Sequence, residues 1–458
     1  PAPMQLSGTS LWGLGRVIAL EYPELRCVRL DLSAQATTED KVQALLLELT
    51  AADAEDQIAI RQGKRYVARL AKSQAISPKQ KQRAISAYQP VRLKLSEYGV
   101  LDNLFNESMT RRSPQVDEVE IQVLATGLNF RDVLNALGML KEYYAEKLGI
   151  MQVSDLTFGL ECAGIIVAVG ENVSHLQVGD EVVGLITTHD AFSSFVTLPA
   201  ATVVKKPTKL SFQEGATIPL AFLTAQYGLH HLAKIQPGER VLIHAAAGGV
   251  GQAAVQIALA AGAEVFATAS ANKWEFLKSM GVKHVMNSRS LEFADEVMSL
   301  TQGQGVDIVL NSLNGEFIDK NLEVVAKNGR FVEIGKVGIW DESQFSAKRG
   351  DISYFPFDLG EVNQSHPGLI LAMLQQLMEQ FQQGTLKPLP QTVFSLKQVV
   401  DSFRYMAAAK HIGKVVVSMP QISTKTNEEQ LSIQPDGSYW ITGGLGALGL
   451  EVAEWLVE

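Results

Sequence analysis

The stretch RVLIHAAAGGVGQAAVQIALAAGAEVFATAS, beginning at Arg240, sets an apolar strand, a glycine loop, a helix and a second strand in a row. Ala246, Gly248 and Gly251 occupy the three glycine positions of a dinucleotide fingerprint, with Gly249 and Val250 completing the loop. Gly248 lets the backbone approach a pyrophosphate, and Gly251 lets the helix pack close to the strand. The first N–H groups of such a helix point at the phosphates. The chemistry implied is the binding of a nicotinamide dinucleotide, and hence hydride transfer.

The end of the second strand decides which dinucleotide. An NAD site places an acid about 20 residues after the loop, where it binds the ribose hydroxyls. Here the chain reads ATASANK, with Ser270 and Lys273 and no acid, and NSRS further on supplies Arg289. Lysine and arginine attract a 2′-phosphate through charge-assisted hydrogen bonds, whereas an acid repels it. The expected cofactor is therefore NADPH, held by Ser270, Lys273 and Arg289. A second loop, WITGGLGALGLEVAEWLVE, carries Gly444, Gly446 and Gly449 in the same spacing. A βαβ unit needs about 30 residues, more than follow Gly449, so this loop is expected to be an appendage without bound cofactor.

Positioning the first loop requires a parallel, doubly wound sheet. RVLIHAA, AEVFATA, HVMN, VDIVLNS and RFVEIG alternate with helical segments between Gln213 and Asp358, as that fold demands. Before it, residues 86–212 are strand-rich with frequent turn signals: VEIQVLATG, AGIIVAVG, DEVVGLI and FVTLP. After it, GLILAMLQQLMEQFQQG places Ile370, Met373, Leu374, Leu377 and Phe381 on one helical face, a core stripe. KVVVSM then closes residues 360–420, and the polar stretch 421–437 is the best linker. Residues 1–85 hold the strand-like runs LRCVRLDL and RYVARL around the helix KVQALLLELTAA, too few elements to bury much surface.

Of 458 residues, 46% are hydrophobic and 19% charged, as in globular chains, and the net charge of −9 argues against nucleic acid as a partner. Cys27 and Cys162 cannot build a disulfide framework or a four-thiolate zinc site. With no signal-peptide pattern at the start, the expected compartment is reducing and cytoplasmic. The long apolar run from Val241 is interrupted by His244, glutamines and a glycine cluster, which suits a buried strand–loop–helix–strand better than a membrane span.

A strand-rich half, a nucleotide domain with AAAGGVGQAA, and a return to the first half resemble the medium-chain dehydrogenase/reductase superfamily. More narrowly, GLNFRDVLNALGM, GLECAGIIVAVG, IPLAFLTAQYGL, LNSLNGEFID, GRFVEIGK and HIGKVVVS resemble the enoyl reductase domain of modular polyketide synthases over about residues 90–420. The resemblance implies an α/β architecture: a GroES-like substrate domain over 86–212 completed by 360–420, and a Rossmann domain over 213–359. It implies NADPH-dependent reduction of an enoyl thioester carried on acyl carrier protein. It also identifies Lys336 in VEIGK and Asp358 in FPFDLG with the family's proton-handling pair. Asn129, Thr224 and Asn311 resemble residues lining the nicotinamide pocket, with Gly335 beside them; each of the three polar side chains could equally satisfy local backbone. The Lys336–Asp358 pair could likewise be only a salt bridge closing the cleft.

Alcohol dehydrogenases of the superfamily use zinc. Their cysteine and histidine ligands would align with Asn129 and Leu160, which are poor zinc ligands, so no metal is expected. A further departure is Leu140, in NALGMLKEYY, where many polyketide enoyl reductases carry a tyrosine that donates the α-proton. Leucine donates none, and Tyr143 and Tyr144 are offset by three and four residues. Either Lys336 or water protonates the enolate, or the enolate lives long enough to displace a γ-halide and close a cyclopropane. SGTSLWGLGRVIALEYPELRCVRLDLS and YWITGGLGALGLEVAEWL resemble the flanking ketoreductase pieces, a structural subdomain over 1–85 and a catalytic stub over 438–458. Two competing readings are a free-standing quinone reductase and a non-catalytic scaffold that binds NADPH.

Overall fold

The computed structural model describes residues 6–421 except 34–35, 52, 54, 62, 70–89, 187–189 and 367. The loop at Gly444, Gly446 and Gly449, the ketoreductase-like stub and all but the first linker residue lie outside the described residues. Two compact units are distinguished, Pro1–Ile76 and Ser77–Glu458.

The first unit is one βαβ turn with an added hairpin. β1 (Arg29–Leu32) pairs in parallel with β2 (Gln57–Arg61), which pairs antiparallel with β3 (Lys64–Val67). The helix Thr38–Leu49 makes the crossover, its Thr37 cap accepting from the Asp40 N–H. So small a sheet covers little: Leu20 and Leu49 remain 86% and 75% exposed.

The second unit begins with the hairpin β4 (Val91–Leu95) and β5 (Leu104–Ser108). It continues with β6 (Glu118–Leu128), β7 (Glu161–Val169), β8 (Glu181–Leu185), β9 (Phe195–Pro199) and β10 (Val203–Lys205). Six strands follow in alternation with helices: β11 (Arg240–Ile243), β12 (Glu264–Ala269), β13 (His284–Asn287), β14 (Val306–Asn311), β15 (Val325–Glu333) and β16 (Ser353–Pro356). β17 (Gln391–Ser395) and β18 (Lys414–Ser418) complete the described chain.

β11–β16 form one wholly parallel sheet in the order β13-β12-β11-β14-β15-β16. This is the doubly wound order whose ligand crevice lies at the carboxyl ends of the strands where the winding reverses, here beside β11. The strand-rich part is a seven-stranded sheet in which β6 carries β7 on one edge and both β9 and β18 on the other. Strand β18 therefore returns the chain to the first half, as the resemblance implies. The helix Leu369–Gln383 buries Ile370, Met373, Leu374, Leu377 and Phe381, the stripe expected from its 3.6-residue period. The rings of Phe222 and Phe381 meet edge to face at 4.9 Å.

Two helices inside the strand-rich half, Phe130–Ala136 and Lys141–Leu148, escape the sequence pattern because each is too short to show a period. β16, at the sheet edge, is likewise additional. Among the described residues no helix is long and apolar enough to cross a membrane.

The two sheets meet at Gly413. Its φ is +73°, and its N–H donates to the Ala247 carbonyl at 2.9 Å. A Cβ there would collide with the Pro390 carbonyl oxygen. Gly413→Ala is expected to destabilise the protein by about 3 kcal/mol, from left-handed strain and overpacking, measured as a fall in the denaturant midpoint.

Candidate active site

β11 ends at Ile243, and the chain turns through Ala245, a non-glycine residue at φ +48°. The Ala246 N–H donates to the Thr268 carbonyl of β12 at 3.0 Å. Gly248 then caps the helix Gly249–Ala260 in extended geometry. A Cβ on Gly251 would stand 2.5 Å from the Ala245 oxygen and 2.6 Å from the Ala246 Cα, so only glycine lets this helix pack so close. The N–H groups of Gly249, Val250 and Gly251 open that helix, where intrahelical acceptors are missing, and make the cradle a pyrophosphate requires. Nearby, His411 Nδ1 is buried without a hydrogen-bond partner. Burial and the charges of Lys273 and Lys414 push its imidazole down to about 4. An open helix end and an unpartnered buried nitrogen fit a polar, phosphate-bearing group, so the residues present suit a dinucleotide.

The residues expected at the ribose phosphate divide. Ser270 precedes the short 3-10 turn Ala271–Lys273 at the end of β12. Lys273, expected at the ribose phosphate, is buried, and its Nζ donates to the Ala409 and His411 carbonyls at 2.9 and 2.6 Å. Two of its three ammonium donors are thus spent on the chain that leads into β18. Burial, with Arg289 nearby, lowers its pKa. Arg289 is exposed, and it is the cation of the pair whose side chain faces solvent.

Lys336 and Asp358 are brought together across 22 residues of sequence. Asp358 caps the helix Leu359–Ser365, its Oδ1 accepting from the Gly360 N–H at 2.7 Å. Its Oδ2 accepts from Arg131 Nη1 at 2.9 Å and lies 3.3 Å from Lys336 Nζ. Lys336 Nζ also donates to the Phe357 carbonyl at 2.6 Å. Burial alone would raise the Asp358 carboxyl, but Lys336 and Arg131 together hold it down at about 2. Burial lowers the Lys336 pKa, Asp358 restores part of the loss, and Arg131 lowers it further. Arg131 is the residue missing from the sequence-based set, although it lies inside the NFRD motif. Leu140 is 2% exposed and stands immediately before the helix Lys141–Leu148. Its carbonyl accepts from the Tyr144 N–H at 2.9 Å, while the Tyr144 hydroxyl accepts from Arg131 Nε at 3.0 Å.

The residues resembling a nicotinamide pocket are held by buried partners that the sequence did not announce. Asn129 Nδ2 donates to Glu161 Oε1 at 3.0 Å, and Asn129 Oδ1 accepts from Lys414 Nζ at 2.6 Å. Lys414 and Glu161 form an ion pair with side chains 3% and 0% exposed. Glu161 Oε2 accepts from the Leu220 N–H at the start of the helix Pro219–Gln226, which carries Thr224. Asp132 anchors the same corner: it accepts from the N–H groups of Asn129 and Gly159, and burial raises its carboxyl to about 6. On the other side, Asn311 Nδ2 donates to Glu333 Oε2 at 2.6 Å, and the Gly335 N–H donates to Glu333 Oε1 at 2.6 Å. Glu333 thereby ties Asn311 to the loop bearing Lys336, and burial pushes it up to about 7. Asn321 donates to Asn311 and meets His244 Nε2 at 2.6 Å, continuing this buried chain to Thr268. A charged residue in an otherwise apolar strand, as Glu161 in LECAG and Glu333 in FVEIG, was the available signal for both.

Lys414→Met leaves Glu161 buried without its cation. It is expected to cost about 3–5 kcal/mol, whereas the Lys414→Met/Glu161→Gln pair costs less than the sum of its parts. Chemical denaturation of the three variants checks this coupling.

Residues 115–208 match the alcohol dehydrogenase GroES-like domain family, and residues 280–417 match the zinc-binding dehydrogenase family. Among the described residues, no group of three or more His, Cys, Asp or Glu side chains could hold a metal ion. The chain is 38% identical over 99% of its length to a phenolphthiocerol/phthiocerol polyketide synthase of Mycobacterium tuberculosis, but spans only 21% of that protein. The crystal structure of CurK enoyl reductase is 64% identical, with all of that chain and 72% of this one covered at a TM-score of 0.70. The CurF ER cyclopropanase from the curacin A biosynthetic pathway is 50% identical, with all of that chain and 72% of this one covered at a TM-score of 0.69. Nucleotide crevice, two-sheet architecture and these similarities agree: the chain belongs to the polyketide synthase enoyl reductases, oxidoreductases of the medium-chain dehydrogenase/reductase superfamily.

Proposed function

We propose that this chain reduces the α,β double bond of an enoyl thioester presented on acyl carrier protein, with NADPH as reductant and without zinc. The observation that carries the reading is Lys336: a partly buried ammonium held 3.3 Å from Asp358 Oδ2 and 2.6 Å from the Phe357 carbonyl. The nicotinamide, when bound, supplies a hydride to the β-carbon. The electron pair then lies on the thioester enolate, and Lys336 delivers the proton that the α-carbon needs. Two of its three ammonium donors are engaged by protein and the third is left for substrate. Asp358 stays ionised and keeps the ammonium in place.

Zinc-free chemistry is supported by ligand identity. Asn129 has both ends of its amide committed to Glu161 and Lys414, and Leu160 offers no ligand atom. An enoyl thioester requires no Lewis acid, because its own carbonyl polarises the alkene. Ser270 and Arg289 support NADPH; Lys273 acts mainly as a strut to the chain before β18. Carrier-protein delivery, a neighbouring ketoreductase, a ketoreductase-like assignment for residues 1–85 and a cytoplasmic setting are part of the same proposal, and the likeness to multidomain synthases supports it.

Leu140 favours a second reading. It is buried and stands where many polyketide enoyl reductases carry a proton-donating tyrosine; the loss of that donor suits ring closure on a γ-halogenated substrate. Reduction remains the better supported, since the CurK reductase is 64% and the CurF cyclopropanase 50% identical to this chain. A γ-chloro enoyl thioester distinguishes them by mass: reduction adds two hydrogens and retains chlorine, and ring closure loses HCl. The expected product retains chlorine.

Lys336 must be protonated to act, so the rate is expected to fall as pH rises through its pKa, which burial holds below 10.5. Lys336→Ala should abolish that alkaline limb along with most crotonyl-thioester turnover, while NADPH binding, followed by its fluorescence, persists. Arg289→Ala is expected to raise the KM for NADPH about tenfold, the worth of one charged hydrogen bond, and to leave the KM for NADH unchanged; steady-state kinetics with both cofactors checks it.

A further inference from the structure

We propose that Arg131 is a positioning residue of the reaction, holding Asp358 with one arm and the Tyr144 hydroxyl with another, so that the segment carrying Leu140 and the Lys336 ammonium are set by one side chain. The proposal rests on the reading of Lys336 as the α-proton donor.

The geometry is specific to a guanidinium. Arg131 leaves the first turn of the helix Phe130–Ala136 and reaches Asp358 Oδ2 through Nη1 at 2.9 Å, 227 residues away. Its Nε donates to Tyr144 at 3.0 Å, and the Tyr143 and Tyr144 rings lie 5.5 and 5.3 Å from its carbon centre. Donors on two different edges of one rigid, planar group can serve both partners at once; a lysine has one nitrogen for the task. Tyr144 in turn donates its backbone N–H to the Leu140 carbonyl at 2.9 Å. Residue 140 is therefore linked to Asp358 by three successive hydrogen bonds. Lys147, at the far end of the same helix, meets Glu361 at 3.3 Å and ties that helix a second time to the segment after Asp358.

Two cations share one carboxylate oxygen here, and Arg131 has the shorter contact. Removing it would leave Lys336 the only cation on Asp358 Oδ2, free to settle onto the carboxylate and away from substrate. It would also remove a like charge, making the ammonium a weaker acid. The charged groups acting on Lys336 are Asp358, Arg131 and Glu361, with Glu333 at the end of β15 three residues before it; Tyr143 and Tyr144 lie against Arg131, and Lys147 meets Glu361. Among these Arg131 is the cation that competes directly for Asp358.

The test is the pH dependence of enoyl-thioester reduction by the full chain. With Arg131→Met, kcat is expected to fall about tenfold, since misplacement of a catalytic group is costly, with KM for the enoyl thioester little changed. The alkaline limb should move upward by about one pH unit, the effect of losing one neighbouring charge. Arg131→Lys keeps the cation and is expected to keep the limb near its original position, with kcat between the two. Tyr144→Phe removes only the accepting hydroxyl, and should lower kcat about threefold without moving the limb; unchanged kcat there removes the link to residue 140. NADPH fluorescence titration and thermal melting establish that each variant is folded. A lower kcat with an unmoved limb in folded Arg131→Met overturns the proposal, as does wild-type behaviour. Lys336→Met separates the two claims. An alkaline limb that survives in it refutes the proton-donor reading itself. A limb that vanishes in it yet stays fixed in Arg131→Met refutes only the role of Arg131.

Discussion

Burying Lys414 and Glu161 together is the constraint around which the larger unit is arranged. Each charge alone would cost several kcal/mol in an environment with almost no solvent contact, and the two side chains are 3% and 0% exposed. They lie 253 residues apart and come into register only when β18 adds to the end of β6. Once it does, Asn129 completes the cluster from the neighbouring turn. Gly413, the residue before Lys414, then lies against Ala247 in the glycine loop. The loop that would cradle a pyrophosphate is thus braced by a strand of the other sheet. The same returning segment takes two hydrogen bonds from Lys273, so a residue expected to serve ligand also belongs to this joint.

Asp358 plays the corresponding role around Lys336. Its two oxygens take a helix N–H, an arginine and a lysine, contributed by three separate segments. Desolvation works against a charged carboxylate there, but two cations outweigh it. The ammonium of Lys336 gains only part of that benefit, since the arginine that stabilises Asp358 repels it. The result is an ionised carboxylate beside a weakened base, an arrangement suited to giving up a proton.

Much of the fold was legible in the chain. Alternating apolar runs and helices between residues 213 and 358 predict a parallel sheet, and the observed order places the glycine loop at its winding reversal. The stripe from Ile370 to Phe381 is buried as its period requires. The helices Phe130–Ala136 and Lys141–Leu148 were not legible, because seven or eight residues carry barely two turns of signal. Their absence from the sequence pattern also hid Arg131 and the hydrogen bond it makes with Tyr144. Glu161 and Glu333 were visible only as acids in apolar strands, a pattern that says an acid needs a partner without saying which.

By itself the sequence determined the nucleotide loop, the strand and helix order, and the presence of Lys336 and Asp358 in recognisable motifs. These are local properties: period, turn residues and short spacings act through neighbouring backbone. Only the tertiary structure decided whom each charge would meet. Lys273 turned toward Ala409 and His411, Asn129 was enclosed by Glu161 and Lys414, and Arg131 took the shorter contact on Asp358. Those choices depend on strand register and on desolvation in a packed interior, and no local pattern in the chain encodes either.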